Sequence, residues 1–291
     1  MDRIFSFFFT KQQNNFWLVF FRVAISLLVI VHFLSILPDF NNLYSINDGV
    51  IEYRVSDIYI PDYVINLPKM IMFFDQMGID PGITIISFKI AFLLFAGILL
   101  LGYQQNMSAL ILLFLQIALA KSNVYYTYGI DYFTSISLFY LIIIPSKVSS
   151  LALSPFKRLF QIHISIVYFF AGFDKIIGLN WWNGENIWKA INLPFATNNY
   201  NITFLGDYPI FLTICGLLTV ILELAYPLFV WQSKTSKYWI YLTILMHVGI
   251  AFILNLYFFS AIMIIWNLTL MFSFNNEEAY DVRKQLAGNN Y

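Results

Sequence analysis

FWLVFFRVAISLLVIVHFLSIL, residues Phe16 to Leu37, holds a single permanent charge, Arg22, in 22 residues. A helix of that length rises about 33 Å, enough to cross the roughly 30 Å hydrocarbon core of a bilayer. Seven further apolar runs follow at 83–103, 107–121, 130–145, 158–175, 209–231, 237–254 and 257–274, with Pro, Asn, Gly or charge clusters between them. The pattern predicts an all-α, polytopic integral membrane helix bundle of eight transmembrane helices, with residues 1–291 as one transmembrane domain. The stretch 237–274 also admits a re-entrant bend in place of a break at Asn255, so seven spans is the alternative count.

The composition requires the same solvent. Sixty per cent of the 291 residues are hydrophobic and 11% are charged, against roughly 45–50% and about 25% in soluble domains. With 31 Phe and 19 Tyr and so few charges to cover them, the remaining apolar surface must face lipid. Basic and acidic residues balance at 16 each, so no net field recruits nucleic acid. The single cysteine, Cys215, excludes an internal disulfide or a Cys-rich metal site built by this chain alone. The N-terminal residues before Asn14 lack a small-residue cleavage site, so the first hydrophobic segment is expected to stay.

The basic residues orient the spans. With the N-terminus inside, the cytoplasmic segments contain Arg3, Lys11, Lys147, Lys157, Arg158, Lys234, Lys237, Arg283 and Lys284. The outer loops hold only Arg54, Lys69, Lys175 and Lys189, with Lys121 at a boundary. Both termini are therefore predicted to be cytoplasmic, and the long loops 38–82 and 176–208 face outward. In the second of these, Trp181, Trp182 and Trp188 fit a short helix at the outer membrane surface, either as an interfacial anchor or as a lid over a lipid or quinone. Residues 69–77, KMIMFFDQM, read the same way.

Charges at membrane depth are costly and need partners or a cavity. On the inner side, Arg22 demands a carboxylate and Glu223 is the one at similar depth, which predicts a structural Arg22–Glu223 ion pair; a proton path is the alternative. His163 reads as a packing residue. Toward the outer side lie His32, Lys89, Asp131, Asp174, Lys175 and His247. Lys175 ends the fifth run behind an apolar stretch, where desolvation favours a neutral, basic amine. His247 sits at comparable depth, and Asp131 could orient either one or accept a proton. The competing account has Lys175 snorkelling to the headgroups with Asp174 as its counter-ion. No GxGxxG, GxxxxGK[ST], HExxH or GxSxG motif occurs, and no metal site is predicted. The sequons at Asn106, Asn201 and Asn267 carry no weight, two of them lying at or inside helices.

The segment YFFAGFDKIIGLNWWNGENIW, Tyr168–Trp188, resembles the Y-x-x-AG-x-x-K and W-x-x-G signature of HTTM domains, the membrane domain shared with vitamin K-dependent gamma-glutamyl carboxylase. Arg22 in FFRVAISLLVI, LYSINDGVI at 43–51, GIDYFTSISLF and His247 with the aromatic run to Trp266 resemble further landmarks of the family in order. The resemblance implies Lys175 as a base acting on a vitamin K-like quinol, assisted by Asp131 and His247, with Trp181, Trp182 and Tyr168 as candidate cofactor contacts. It implies a bacterial cell membrane as the location. In length the chain is similar to the sporulation-delaying protein B branch of peptide-toxin systems, which implies a secreted peptide substrate and accessory proteins. A non-catalytic subunit or chaperone of such a maturation or export system is the alternative, and a transporter is disfavoured by the absence of an internal repeat.

Overall fold

The computed structural model describes residues 15–46, 49–145, 153–197 and 202–288. Arg3, Lys11, Asn14, Lys147 and Asn201 lie outside them, as do the side chains of Arg283 and Lys284. All regular structure among the described residues is helical, and the chain divides into two compact units.

The first unit, Phe20–Val148, holds most of α1 (Phe16–Ile36) and then α2 (Phe40–Tyr44), α3 (Tyr53–Asp57), α4 (Leu67–Gln76), α5 (Pro81–Leu101), α6 (Gln105–Ala120) and α7 (Gly129–Ile143). Helix α5 starts where Asp80 accepts the backbone N–H groups of Gly82 and Ile83, with Pro81 at the first helical position. It stops at Gly102, whose φ of +76° is the left-handed cap. Between α1 and α5, Phe33 stacks on Phe92 at 4.0 Å. Helices α6 and α7 are tied where Asn106 donates to the Ile142 carbonyl and Gln105 to those of Leu141 and Ile144, which satisfies the open C-terminus of α7. The expected interfacial helix at 69–77 is α4, begun by the Asn66 side chain accepting the Lys69 N–H.

The second unit, Met1–Val19 with Ser149–Tyr291, contains α8 (Leu153–Ile177), α9 (Leu179–Trp182), α10 (Glu185–Ile191), α11 (Pro194–Thr197), a 3-10 turn at Thr203–Asp207, α12 (Pro209–Leu224), α13 (Tyr226–Val230), α14 (Ser236–Leu254) and α15 (Tyr257–Gly288). The expected single helix around Trp181–Trp188 is two, because Gly184 turns the chain at φ +79° between α9 and α10. The expected helix 209–231 is also interrupted. Pro227 lacks the N–H that would continue α12, and beside the break the Trp239 indole N–H donates to the Leu222 carbonyl. At Asn255 the break is real: its φ of +55° ends α14 and lets α15 begin two residues later.

Among the described residues, five helices are long and apolar enough to cross a membrane: Phe16–Ile36, Pro81–Leu101, Leu153–Ile177, Ser236–Leu254 and Tyr257–Phe274. Gln105–Ala120, Gly129–Ile143 and Pro209–Leu224 are apolar but shorter. Outward faces are apolar too: Ile83, Ile86, Ile90 and Leu94 along α5 are each more than half exposed. An apolar helix face left without a protein cover is built for lipid, which marks a membrane protein.

Candidate functional site

The site is built on one face of α8. Tyr168, Gly172 and Lys175 stand four and three residues apart and so share a stripe. Gly172 decides what the stripe meets. A Cβ there would stand 2.5 Å from the Leu224 nitrogen, so the missing side chain lets the end of α12 lie directly against α8. Glu223, the neighbour of Leu224, then reaches Lys175: Nζ to Oε2 is 2.7 Å. Glu223 is buried, while about a fifth of the Lys175 side chain is exposed.

Two more glycines hold the frame. A Cβ on Gly216 of α12 would stand 2.7 Å from the Trp181 carbonyl oxygen, and one on Gly184 would stand 2.6 Å from the Thr213 nitrogen. The α9–α10 segment is thereby seated on α12, and the Trp181 ring lies under Lys175, 5.3 Å from Nζ to the centroid. Lys175 also donates to the Ala171 carbonyl at 3.4 Å.

Beneath the ion pair lies a buried hydrogen-bond network. The Tyr226 hydroxyl donates to Asn267 Oδ1 at 2.8 Å, Asn267 Nδ2 donates to the Tyr168 oxygen at 2.7 Å, and the Tyr168 hydroxyl is 2.9 Å from His247 Nε2. Tyr168 and Tyr226 stack at 4.2 Å, and Phe259 meets the His247 ring edge-on. Lys175 is near enough for its charge to act on His247, and Glu223 for its charge to act on Tyr168.

Of the expected catalytic residues, Lys175 and His247 fall in this unit. Asp131 belongs to the first unit, where Oδ2 accepts the Tyr128 N–H and Oδ1 accepts Gln116 Nε2, both at 3.1 Å, which fastens the first turn of α7 to α6. The expected Arg22–Glu223 pair is replaced by two separate arrangements. Glu223 is taken by Lys175, and Arg22 donates to the carbonyls of Leu99 and Leu100 at 2.8 and 2.6 Å, at the negative end of the α5 dipole. Gly102 makes room for this, since a Cβ there would stand 2.6 Å from the guanidinium.

Each of the expected cofactor contacts, Tyr168, Trp181 and Trp182, also has a protein partner. Tyr168 is 2% exposed and its hydroxyl is engaged twice. The Trp182 indole N–H donates to the Ile176 carbonyl at the end of α8, and Trp181 carries Lys175. Only the Trp182 N–H is spent in this way, and its ring remains about half exposed. A separate apolar groove of about 460 Å³ runs between α10, α12 and α14, past Ile191, Cys215, Leu218, Leu245 and Gly249, and neither Lys175 nor His247 lines it. Among the described residues, no three His, Cys, Asp or Glu side chains gather as metal ligands would.

At the edge of the frame, Glu185 and Lys189 pair at 2.6 Å one turn apart on α10, and the ammonium holds this exposed carboxyl below its usual range. The chain matches no family model, no curated protein and no solved structure.

Proposed function

We propose that this chain acts in the modification or maturation of an exported peptide, with Lys175 as the group that removes a proton from the substrate. The observation that carries this reading is the 2.7 Å contact between Lys175 and Glu223. A carboxylate at that distance can receive the ammonium proton. Its transfer leaves a free amine and a neutral acid and adds no net charge in a medium that penalises charge. The amine can then take a substrate proton, with Trp181 bounding it on one side. The proton taken restores the Lys175 ammonium, and the electron pair stays on the substrate as its conjugate base beside that cation.

The same proposal includes eight spans with both termini in the cytoplasm, the loop 176–208 on the outer side and a bacterial cell membrane as the location. It also includes kinship with HTTM domains and the sporulation-delaying protein B branch, with a secreted peptide and accessory proteins as partners. These points rest on the Tyr168–Trp188 signature and the basic-residue asymmetry.

The test compares the peptide released by cells making the wild-type chain with that from cells making Lys175→Met, by mass spectrometry. The mature product should disappear while the membrane level of the variant persists. The double variant Lys175→Met/Glu223→Met, which removes both charges together, guards against a folding loss. Full product from a stable Lys175→Met protein rejects the reading.

One observation favours a second reading, a non-catalytic subunit of a maturation or export system. Lys175 is held on three sides, by Glu223, the Ala171 carbonyl and Trp181, as a purely structural cation would be. On that reading a partner protein co-purifies equally with wild type and with the double variant, and product survives.

A further inference from the structure

Asn267 is fully buried inside α15, and its surroundings fix which way its amide points. Nδ2 lies 2.9 Å from the Met263 carbonyl oxygen, a group that only accepts, so the nitrogen must face it. Oδ1 then faces the Tyr226 hydroxyl, which donates to it. The same Nδ2 donates to the Tyr168 oxygen. The hydroxyl proton of Tyr168 is left with one acceptor within hydrogen-bond distance, His247 Nε2 at 2.9 Å. An Nε2 that accepts carries no proton, so the imidazole proton is on Nδ1. His247 is 3% exposed, and its Nδ1 is buried with no protein partner. Native interiors pair nearly all such donors, so one left over beside a charged cluster points to use.

We propose that Tyr226, Asn267 and Tyr168 are positioning residues that hold His247 as the Nδ1–H tautomer, so that its buried, unpartnered N–H is kept as a hydrogen-bond donor for an acceptor oxygen of the substrate. A peptide carbonyl is the class of group such an N–H recognises. The assignment of a substrate rests on the Lys175 reading; the tautomer does not. Tyr226 orients Asn267, Asn267 occupies the Tyr168 oxygen, and Tyr168 spends its proton on Nε2.

The chain has three histidines, so 15N-histidine labelling of the full chain in lipid nanodiscs gives a spectrum simple enough to assign by deleting one set of signals with His247→Gln. Two-bond 15N–1H correlations distinguish the two neutral tautomers. Wild-type His247 should show Nδ1–H. Tyr168→Phe, which keeps the ring and removes the hydroxyl, should shift His247 toward Nε2–H, and Asn267→Leu should weaken the preference. Adding N-decanoyl-glycinamide, an apolar chain that ends in amide carbonyls, should move the Nδ1 proton downfield. Nε2–H in the wild type overturns the relay without recourse to any variant, as does an unchanged spectrum in folded Tyr168→Phe. No response to the amide probe overturns the donor role. None of these readouts depends on whether a peptide is matured, so this proposal and the proposed function fail separately.

Discussion

The Lys175 ammonium lies 2.7 Å from the Glu223 carboxylate, and Gly172 is the residue that lets their two helices come close enough for it. The signature that stood out in the sequence for its lysine is, in three dimensions, mostly a set of close approaches. Gly172 and Gly184 of that stretch, with Gly216 of α12 opposite, each leave room for backbone, and the ion pair is what those approaches deliver.

Glu223→Gln should therefore destabilise the protein, because it leaves the Lys175 charge without its counter-ion. Breaking a buried pair by removing one partner costs about 3–5 kcal/mol, and the partial exposure of Lys175 puts this case at or below the lower end. Thermal unfolding in nanodiscs should show the loss, with Lys175→Met/Glu223→Met recovering much of it. A Glu223→Gln protein as stable as wild type would mean that the pair contributes nothing.

Gly172→Ala should cost about 1–3 kcal/mol through overpacking, since the Leu224 backbone cannot retreat as a flexible side chain could. Gly97→Ala is the matched control. It lies inside α5 with nothing within 4 Å of its would-be Cβ, and helix propensity should make the change neutral or mildly stabilising. Equal unfolding midpoints for the two variants would remove the steric argument.

Arg22→Met should lower stability by about 1.5–3 kcal/mol, the range for hydrogen bonds from a charged group, and Gly102→Ala should also be harmful. The second variant meets both a φ of +76° and the guanidinium itself. Amide hydrogen exchange at the α5 terminus should rise in both. Unchanged exchange in Arg22→Met would sink the cap.

Asp131→Ala should loosen the first turn of α7, at a cost of about 0.5–2 kcal/mol for a lost cap, while peptide product stays at the wild-type level. Product lost from a well-folded Asp131→Ala protein would restore Asp131 to the chemistry.

The Glu185 carboxyl should titrate below an ordinary glutamate and return to the usual range in Lys189→Ala, as read by carboxyl 13C shifts. A depressed carboxyl stabilises the folded form above its unfolded pKa, and that contribution is lost as pH falls through the lowered folded value. The pair is exposed, so its effect should fade with added salt. A Glu185 shift unaffected by Lys189→Ala would assign the depression to another cause.

The helices were legible because apolar runs of span length leave little choice of structure, and the break at Asn255 could be read from a residue that tolerates a left-handed backbone. Glycine turns and a proline break were visible as letters but not as geometry, so one helix was expected where Gly184 makes two and where Pro227 interrupts α12. The site was half legible. Lys175 and His247 were singled out by their depth, but depth says nothing of azimuth, and it paired Arg22 with the wrong partner. Helix-terminal carbonyls, which hold Arg22, leave no mark in the sequence as counter-ions. Asn267 and Tyr226 were missed. The signal for Asn267 was present, an amide inside an apolar run, but it was read as a sequon without weight instead of as a buried group in need of partners.

Arg22 and Lys175 are two cations on long apolar helices, secured in unlike ways. The joint between α1 and α5 uses backbone carbonyls, which no substitution at Leu99 or Leu100 removes. The joint between α8 and α12 hangs on one carboxylate, which a single substitution at Glu223 removes.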